Sequence, residues 1–406
     1  MAKNTQGDGT NIVCFLCGKP ADKIKGKLIQ GVQGHVCKEC VHKCVHVFAK
    51  TDAEVKDKKP FKVKVPSPIE IKEYLDQYVI GQERAKKVLS VAICNHYRRL
   101  QFTSSKNEND IELDKSNILL TGSTGTGKTL LVQTIAKMLK VPCAISDATT
   151  LTEAGYVGAD PENALLRLLQ AANGDIEKAE MGIVVLDEFD KKAARDAGVS
   201  VTRDVSGSGV QGAILKMIEG TVVDVPLTGG RKHPNSEIVK IDTKNILFVL
   251  LGSFFGLDKI IKARIKGKSI IGFGDELTRN TKTDIRVTPE DLIEFGMIPE
   301  IIGRIPVISM LHDLTEADLL RILSEPKNAI LKQYAKMAQI AGVSLTVDDD
   351  AKIEIAKLTF LRKTGARGLR AIVEDVLIDV MYSIQPGDSV RITKEMIVNC
   401  ASGKAA

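Results

Sequence analysis

Between Ile118 and Leu139 the chain runs a short apolar segment, a glycine-rich octapeptide and a helix-patterned stretch. That order leaves little freedom of fold. Gly122-Ser123-Thr124-Gly125-Thr126-Gly127-Lys128-Thr129 matches G-x-x-x-x-G-K-[ST] at every fixed position. Ile118-Leu119-Leu120 reads as the strand that delivers the chain to the loop. Gly122, Gly125 and Gly127 let backbone N–H groups turn inward around phosphate oxygens, and the helix that follows points its positive N-terminus at the same place. In such a loop the stretch Gly122 to Leu130 holds the phosphates of a nucleoside triphosphate. Lys128 reaches the β- and γ-phosphates and the Thr129 hydroxyl ligates Mg2+. A chance glycine turn would not be expected to stand between a strand and a helix.

The surrounding pattern agrees with a nucleotide-binding α/β domain. Val141 to Ile145, Gly182 to Leu186 and Ile246 to Leu251 read as apolar strands, and Asn163 to Ala172 as a helix. Upstream, Ile69, Ile71, Leu75 and Val79 form a short helical pattern ending at Gly81. A longer amphipathic helix follows, with Ala85, Val88, Leu89, Ala92 and Ile93 on one face. Strands alternating with helices imply a parallel sheet covered on both faces. The strand Ile183 to Leu186 ends in Asp187-Glu188. At the carboxyl end of a parallel strand, Asp187 would hold Mg2+ through water and Glu188 would orient and polarise the attacking water. A solvated acidic turn is the plainer reading of the pair, and the upstream loop favours hydrolysis.

Cysteine spacing points to a second site. Cys14-x2-Cys17, 19 residues, then Cys37-x2-Cys40 falls within the window for a four-cysteine Zn2+ site, structural because no ligand position is left open. His35, His42, Cys44 and His46 are competing ligands nearby, but the paired spacing accounts for the four cysteines together. Redox dithiols would be expected beside a βαβ pattern, which is missing. From Lys50 to Pro68, lysines alternate with Pro60, Pro66 and Pro68, the composition of an extended linker. The expected organisation is a zinc module at 1–49, a linker at 50–66, a nucleotide-binding domain at 67–313 and a small, mainly helical domain at 314–406.

Composition excludes several classes. Lys+Arg 57 against Asp+Glu 51 is a mild excess, and without Trp and with 4% aromatics the chain has few stacking platforms, which argues against nucleic acid as a partner. No apolar run is long enough to cross a membrane, the N-terminus lacks a signal-peptide core, and eight cysteines at these spacings suit a reducing compartment. The expectation is a cytoplasmic protein.

Three loops stand apart. Gly155-Tyr156-Val157-Gly158 holds an aromatic–aliphatic pair between glycines, as an ordinary turn also would. Arg231-Lys232-His233 follows a glycine pair and precedes Pro234, a basic triplet on a loop. Ile271-Gly272-Phe273 is an apolar tripeptide within Lys262 to Thr288, a basic and polar stretch with little periodicity. An exposed apolar loop tip suits partner binding, and a short edge strand is the alternative. In the last part of the chain Thr315 reads as an N-cap. Helical patterns run from Glu325 to Ile340, Ala351 to Arg362 and Leu369 to Tyr382, with strands at Val343 to Val347 and Ser389 to Ile392.

Taken in order, these features resemble the ClpX family of AAA+ unfoldases, which work with the ClpP peptidase. The resemblance runs from about Cys14 to Thr393. It rests on the cysteine module, Tyr78-Val-Ile-Gly-Gln82, the P-loop, Leu151-Thr-Glu-Ala-Gly-Tyr-Val-Gly158 and Asp187-Glu188. It continues through Thr202-Arg-Asp-Val-Ser-Gly207, Gly229-Gly-Arg-Lys-His-Pro234, the Ile-Gly-Phe loop, Ile298-Pro-Glu-Ile-Ile-Gly-Arg304 and Lys363-Thr-Gly-Ala-Arg-Gly-Leu-Arg370. The resemblance implies a homo-hexameric ring that uses ATP, Mg2+ and Zn2+ to unfold protein substrates, some brought by adaptors. It implies that Val79 and Ile80 line the adenine pocket, Tyr156 and Val157 grip substrate in the pore, and Arg231, Lys232 and His233 ring its entrance. Ile271, Gly272 and Phe273 would dock on ClpP, Arg304 would act as an arginine finger on the next subunit's nucleotide, and Arg367 as the sensor-2 arginine. The related unfoldase HslU lacks the cysteine module. Three positions depart from the family pattern. Leu250-Leu251-Gly252-Ser253-Phe254 replaces a glycine pair followed by Ala-Phe, Gly212 stands where a second Gln is usual, and Pro161 follows the Tyr156 loop. The other classes weighed are a nucleic-acid-remodelling ATPase, a non-catalytic nucleotide-binding adaptor and a paralogue acting as a stand-alone chaperone.

Overall fold

The computed structural model describes residues 12–24, 28–30, 34–44, 63–103, 111–152, 159–194, 207–227, 238–270, 286–383 and 385–401. The chain divides into two units, Met1–Lys62 and Val63–Ala406. In the first, β1 (Leu28–Gln30) pairs antiparallel with β2 (His35–Cys37), Leu28 opposite Cys37. Three-residue strands bury almost nothing. The core of this unit is Cys14, Cys37 and Cys40, with Ile24, Leu28 and Val36 packed against it. A unit this small needs a covalent or metal staple to be stable.

The second unit opens with α1 (Pro68–Asp76). Ser67 caps it reciprocally: its hydroxyl accepts the Glu70 N–H at 3.2 Å and the Glu70 carboxylate accepts the Ser67 N–H at 2.7 Å. Pro68 supplies a first position whose missing N–H costs nothing. After α2 (Glu83–Thr103) the chain enters β3 (Ile118–Thr121), then α3 (Lys128–Leu139), β4 (Cys143–Asp147), α4 (Asn163–Ala171) and β5 (Ile183–Asp187). Next come α5 (Ser208–Glu219), the antiparallel pair β6 (Val222–Pro226) and β7 (Ile238–Asp242), β8 (Leu247–Gly252), α6 (Leu257–Ile270) and β9 (Val307–Met310). Strands β4-β5-β8-β3-β9 form one sheet, parallel throughout. Leu119, Val184, Leu186, Phe248 and Leu250 lie in the main hydrophobic cluster. The residues between them, Ile118, Leu120, Val185, Val249 and Leu251, are equally buried. Since side chains alternate across a strand, both faces of the sheet are covered. Register places Thr121 beside Gly252 and Met310, and Asp147 beside Asp187, so the carboxyl ends of all five strands share one edge.

The remainder is α7 (Glu316–Ser324), α8 (Ile330–Ile340), β10 (Ser344–Val347), α9 (Asp349–Leu361), α10 (Ala366–Ser383), β11 (Ser389–Ile392) and α11 (Lys394–Ala401). It has its own core around Leu319, Leu323, Ile355, Leu369, Val373 and Ile397. Thr315 caps α7, its hydroxyl accepting the Asp318 N–H at 3.1 Å. No helix among the described residues is long and apolar enough to cross a membrane.

The structure differs from the sequence reading in several places, among them the strand expected at Val141 to Ile145, which runs Cys143–Asp147, and β9, which the sequence reading does not include. The stretch from Lys262 is helical as far as Ile270, because Leu257 and Ile261 are buried with Ile260 and Ile265 packed beside them. The beat that hides this periodicity is Arg264, whose Nε and Nη2 meet the buried Asp291 carboxylate at 2.7 and 3.1 Å. The helix expected from Glu325 begins at Ile330: Glu325 still belongs to the end of α7, its N–H donating to the Arg321 carbonyl at 2.9 Å, and Pro326 has no N–H with which to continue that helix. Val63 and Pro66, read as linker, lie on α2: the Val63 carbonyl accepts from Gln101 at 3.0 Å and the Pro66 carbonyl from the Cys94 thiol at 3.4 Å.

Candidate functional site

Every sheet strand ends at the edge where the glycine loop begins. Gly122, Gly125 and Gly127 have φ of 145°, 80° and 99°, which turn successive N–H groups to one side. The Thr126 hydroxyl braces the loop from within by donating to the Ser123 carbonyl at 2.8 Å. Lys128 begins α3 and its ammonium donates back to the carbonyls of Gly122 and Ser123, so the charge lies over the loop. Burial lowers the Lys128 pKa, Asp187 and Asp190 oppose that, and Arg367 adds to it. Its ammonium therefore already stands in the combined field of Asp187, of Asp190 and of Arg367 from the small domain.

The Thr129 hydroxyl donates to Asp187 Oδ2 at 2.9 Å, while Asp187 Oδ1 accepts the Glu188 N–H at 2.9 Å. A hydroxyl and a carboxylate in contact, next to an ammonium, form the oxygen donor set that a hard dication takes beside phosphates. Glu188 is exposed and has a φ of 56°. Backbone of this kind costs about 1–3 kcal/mol in a non-glycine residue and concentrates at functional sites. Val79 and Ile80 are buried, and Val79 Cγ1 lies 3.9 Å from where a Cβ on Gly127 would be, which brings the expected adenine-pocket residues to the loop.

The small domain meets the loop directly. The Ala366 N–H donates to the Gly125 carbonyl at 3.2 Å. A Cβ on Gly125 would stand 2.9 Å from the Thr364 carbonyl, and one on Gly365 2.7 Å from the Thr124 carbonyl. Only glycine permits that approach, and it puts Arg367, on the first turn of α10, within electrostatic reach of Lys128.

In the N-terminal unit the sulfurs of Cys14, Cys17, Cys37 and Cys40 lie within 4.8 Å of one another, with Cys17 and Cys37 3.8 Å apart. A tetrahedron with Zn–S arms of ~2.3 Å has edges of ~3.8 Å. Among the described residues, His35, His42 and Cys44 do not join the cluster; His46 lies outside them. The Cys37 N–H, donating to Cys14 Sγ at 3.3 Å, pulls the Cys14 thiol down to about 6, while Cys40, hydrogen-bonded by Cys37 and the other sulfurs, is pushed up to about 12. Four thiols this close cannot all ionise unless a cation offsets the charge. The donor set fits a structural metal.

Comparison with known proteins follows this geometry closely. An AAA domain (Cdc48 subfamily) profile matches residues 113–308, and a profile for the C-terminal, D2-small domain of ClpB protein matches residues 314–391. The ATP-dependent Clp protease ATP-binding subunit ClpX of Treponema denticola is 49% identical over 410 residues, covering 98% of this chain and 95% of that protein. The chain belongs to the ClpX family. It is an AAA+ ATPase, built here from a parallel sheet, a small helical domain and an N-terminal four-cysteine cluster.

Arg304 stands away from this chain's own phosphate loop. Its carbonyl accepts from Asn117 Nδ2 at 2.9 Å and its guanidinium pairs with Glu219 at 3.1 Å. Asn117 precedes β3, so Arg304 lies at the amino-terminal edge of the sheet. The four residues of β3 span roughly 13 Å, and an arginine side chain does not bridge that distance to Gly122 and then the phosphates. The residues Tyr156, Val157, Arg231, Lys232, His233, Ile271, Gly272 and Phe273 lie outside the described residues.

The departures from the ClpX pattern fall in different surroundings. Leu251 is fully buried, whereas the glycine kept at 252 is sterically required: a Cβ there would meet the Phe254 ring at 2.6 Å and Asp190 Oδ1 at 2.8 Å. Gly212 has open space around it. Pro161 opens the turn into α4, its carbonyl accepting the Ala164 N–H at 3.1 Å. One participant was not foreseen. The buried Asp190 takes the Ser253 N–H at 3.2 Å and the Ser253 hydroxyl at 2.9 Å, joining the turn after β5 to the end of β8. The signal was a second aspartate three residues after Asp187.

Proposed function

We propose that this chain is an ATP-driven protein unfoldase and translocase. It assembles as a homo-hexameric ring in the cytoplasm, threads substrates through an axial pore and delivers them to ClpP. The observation that carries this reading is similarity along nearly the whole of both chains to a ClpX subunit. The site geometry supports it in detail. Lys128, Thr129 and Asp187 hold ATP and Mg2+, Glu188 activates water, and Arg367 reports the nucleotide from the small domain. Arg304, at the far edge of its own sheet, completes the site of a neighbouring subunit, which is why a ring is needed. Tyr156 and Val157 grip the polypeptide, Arg231, Lys232 and His233 line the entrance, and Ile271, Gly272 and Phe273 dock on ClpP. The four cysteines hold Zn2+ in a module that receives substrates and adaptors.

The deciding experiment is degradation of a folded, tagged reporter with ATP, with and without ClpP. Degradation that needs both supports the reading, and ATP-dependent unfolding that ClpP never exploits would favour the stand-alone chaperone. Two variants divide the roles. Tyr156→Ala leaves ATPase activity within about twofold and slows unfolding by about tenfold or more, as expected when the grip on the polypeptide is lost but the hydrolytic site is untouched; an unchanged unfolding rate removes the pore role. Deleting Ile271 to Phe273 abolishes degradation with ClpP while unfolding continues, measured by loss of reporter fluorescence. Retained degradation would place the docking contact elsewhere.

A further inference from the structure

The joint between the two parts of the second unit runs from Leu311 to Thr315, between β9 and α7. It touches the nucleotide site on two sides. On the phosphate side, the Leu311 N–H donates to the Thr121 carbonyl at 2.8 Å, at the end of β3. A Cβ on Gly122 would be 3.0 Å from both Leu311 O and Leu311 Cβ. On the other side is Gln82. Its carboxamide makes a two-way clasp with the backbone of His312, Nε2 donating to the His312 carbonyl at 2.7 Å and Oε1 accepting the His312 N–H at 2.9 Å.

Three features set this clasp apart from an ordinary surface contact. Gln82 is 6% exposed, so its carboxamide has little access to water in place of the His312 peptide, and losing either bond leaves a buried side-chain group without a partner. Gly81 and Gln82 have consecutive positive φ of 66° and 59°, and a non-glycine residue takes that conformation only when its surroundings enforce it. The loop carrying Gln82 is also stiffly mounted. The ammonium of Lys86, 2% exposed, donates to the Val79 carbonyl at 3.3 Å and pairs with Asp76 and with Glu83, the latter at 2.9 Å. The Lys86 N–H closes the first turn of α2 on the Gln82 carbonyl at 2.9 Å. Val79, Ile80 and Gln82 therefore move as one piece, with Val79 at the phosphate loop and the Gln82 side chain on the joint.

We infer that Gln82 is a positioning residue that carries nucleotide occupancy at Val79 and Ile80 into the angle of the joint at His312. The inference rests on the reading of Val79 and Ile80 as the adenine pocket. A rigid loop that shifts to accept a base shifts His312 with it, because the clasp fixes donor and acceptor together. A single hydrogen bond would let the peptide pivot. The phosphate loop and the base thus bias the joint from its two sides.

The test is backbone hydrogen exchange in the full chain, with no nucleotide and with a nonhydrolysable ATP analogue, following peptides that cover 122–130 and 311–315, together with steady-state ATPase kinetics. In the unaltered protein the analogue slows exchange in both peptides. In Gln82→Met, of similar length but unable to form the clasp, protection of 122–130 persists while the analogue-dependent change at 311–315 disappears. The ATPase kcat falls about tenfold, the scale of one or two lost hydrogen bonds, with KM within about threefold. Gln82→Glu keeps the acceptor for the His312 N–H and loses the donor. It gives an intermediate loss, and it decides the matter if the Met variant does not fold. If Gln82→Met raises exchange at 311–315 equally with and without nucleotide and leaves the difference intact, Gln82 is a structural latch and the inference fails. It fails equally if the unaltered protein shows protection at 122–130 and none at 311–315. Absence of protection at 122–130 in the unaltered protein would instead overturn the nucleotide-site reading beneath it.

Discussion

Glu188→Gln is expected to stop ATP turnover while leaving ATP bound. Glu188 stands at the carboxyl end of β5, one residue beyond the Asp187 carboxylate that holds Thr129 at 2.9 Å, and it is exposed. Glutamine has the same length and accepts the same backbone strain, so neither the fold nor the phosphate cradle changes. What it cannot do is take a proton from water. General-base assistance is worth about 10²- to 10⁴-fold, so kcat should fall on the order of 10³-fold with nucleotide affinity within about threefold. Turnover and the binding of a fluorescent ATP analogue, measured on the same preparation, check both halves. A variant keeping more than about a tenth of the unaltered rate would move the base to another residue, and Asp190, which the Ser253 N–H and hydroxyl already engage, would be the next to examine.

Stripping metal from the N-terminal unit should unfold that unit and spare the rest. Its core is three cysteines with Ile24, Leu28 and Val36 beside them, too little apolar surface to offset the conformational entropy of ordering the segment. Structural Zn2+ binding in small domains contributes about 10–16 kcal/mol of apparent free energy, so its loss removes essentially all of the stability. A strong chelator, or Cys14→Ser, should make residues 12–44 exchange their amides at the unfolded rate and become open to protease, while the thermal transition of residues 63–401 is unchanged. Metal analysis of the purified chain should return about one zinc per chain, the ratio a four-thiolate tetrahedron requires. A unit that keeps its exchange protection after complete metal removal would show that its small core suffices.

Much of the site was legible before any coordinates, for reasons that differ from residue to residue. The phosphate loop was legible because its chemistry is local: three positive-φ glycines, a lysine and a hydroxyl must be consecutive to enclose a phosphate. The cysteine knuckles were legible for the same reason, since two ligands on one tight turn impose a short spacing. Three of the sheet strands, β3, β5 and β8, were legible as uninterrupted apolar runs, whereas β9, half-buried and only four residues long, was not. What stayed hidden was contact at long sequence separation. Arg264 disguised the periodicity of α6 because its partner, Asp291, is 27 residues away. Asp190 and Ser253 meet across 63 residues and Gln82 and His312 across 230, and no periodicity records such pairs.

By itself the sequence determined the chemistry on offer: a loop shaped for a triphosphate, an acidic pair at the end of a strand, four thiols at knuckle spacing, and the order that marks a ClpX chain. Tertiary structure alone decided which of these act together. It brought Asp187 onto Thr129 and Arg367 into the field of Lys128, and it set Arg304 at the opposite edge of the sheet from its own phosphates. The reason is directional. A parallel sheet carries every strand's carboxyl end to one edge and every amino end to the other, so residues remote in sequence become neighbours or are held apart according to the strand end they occupy.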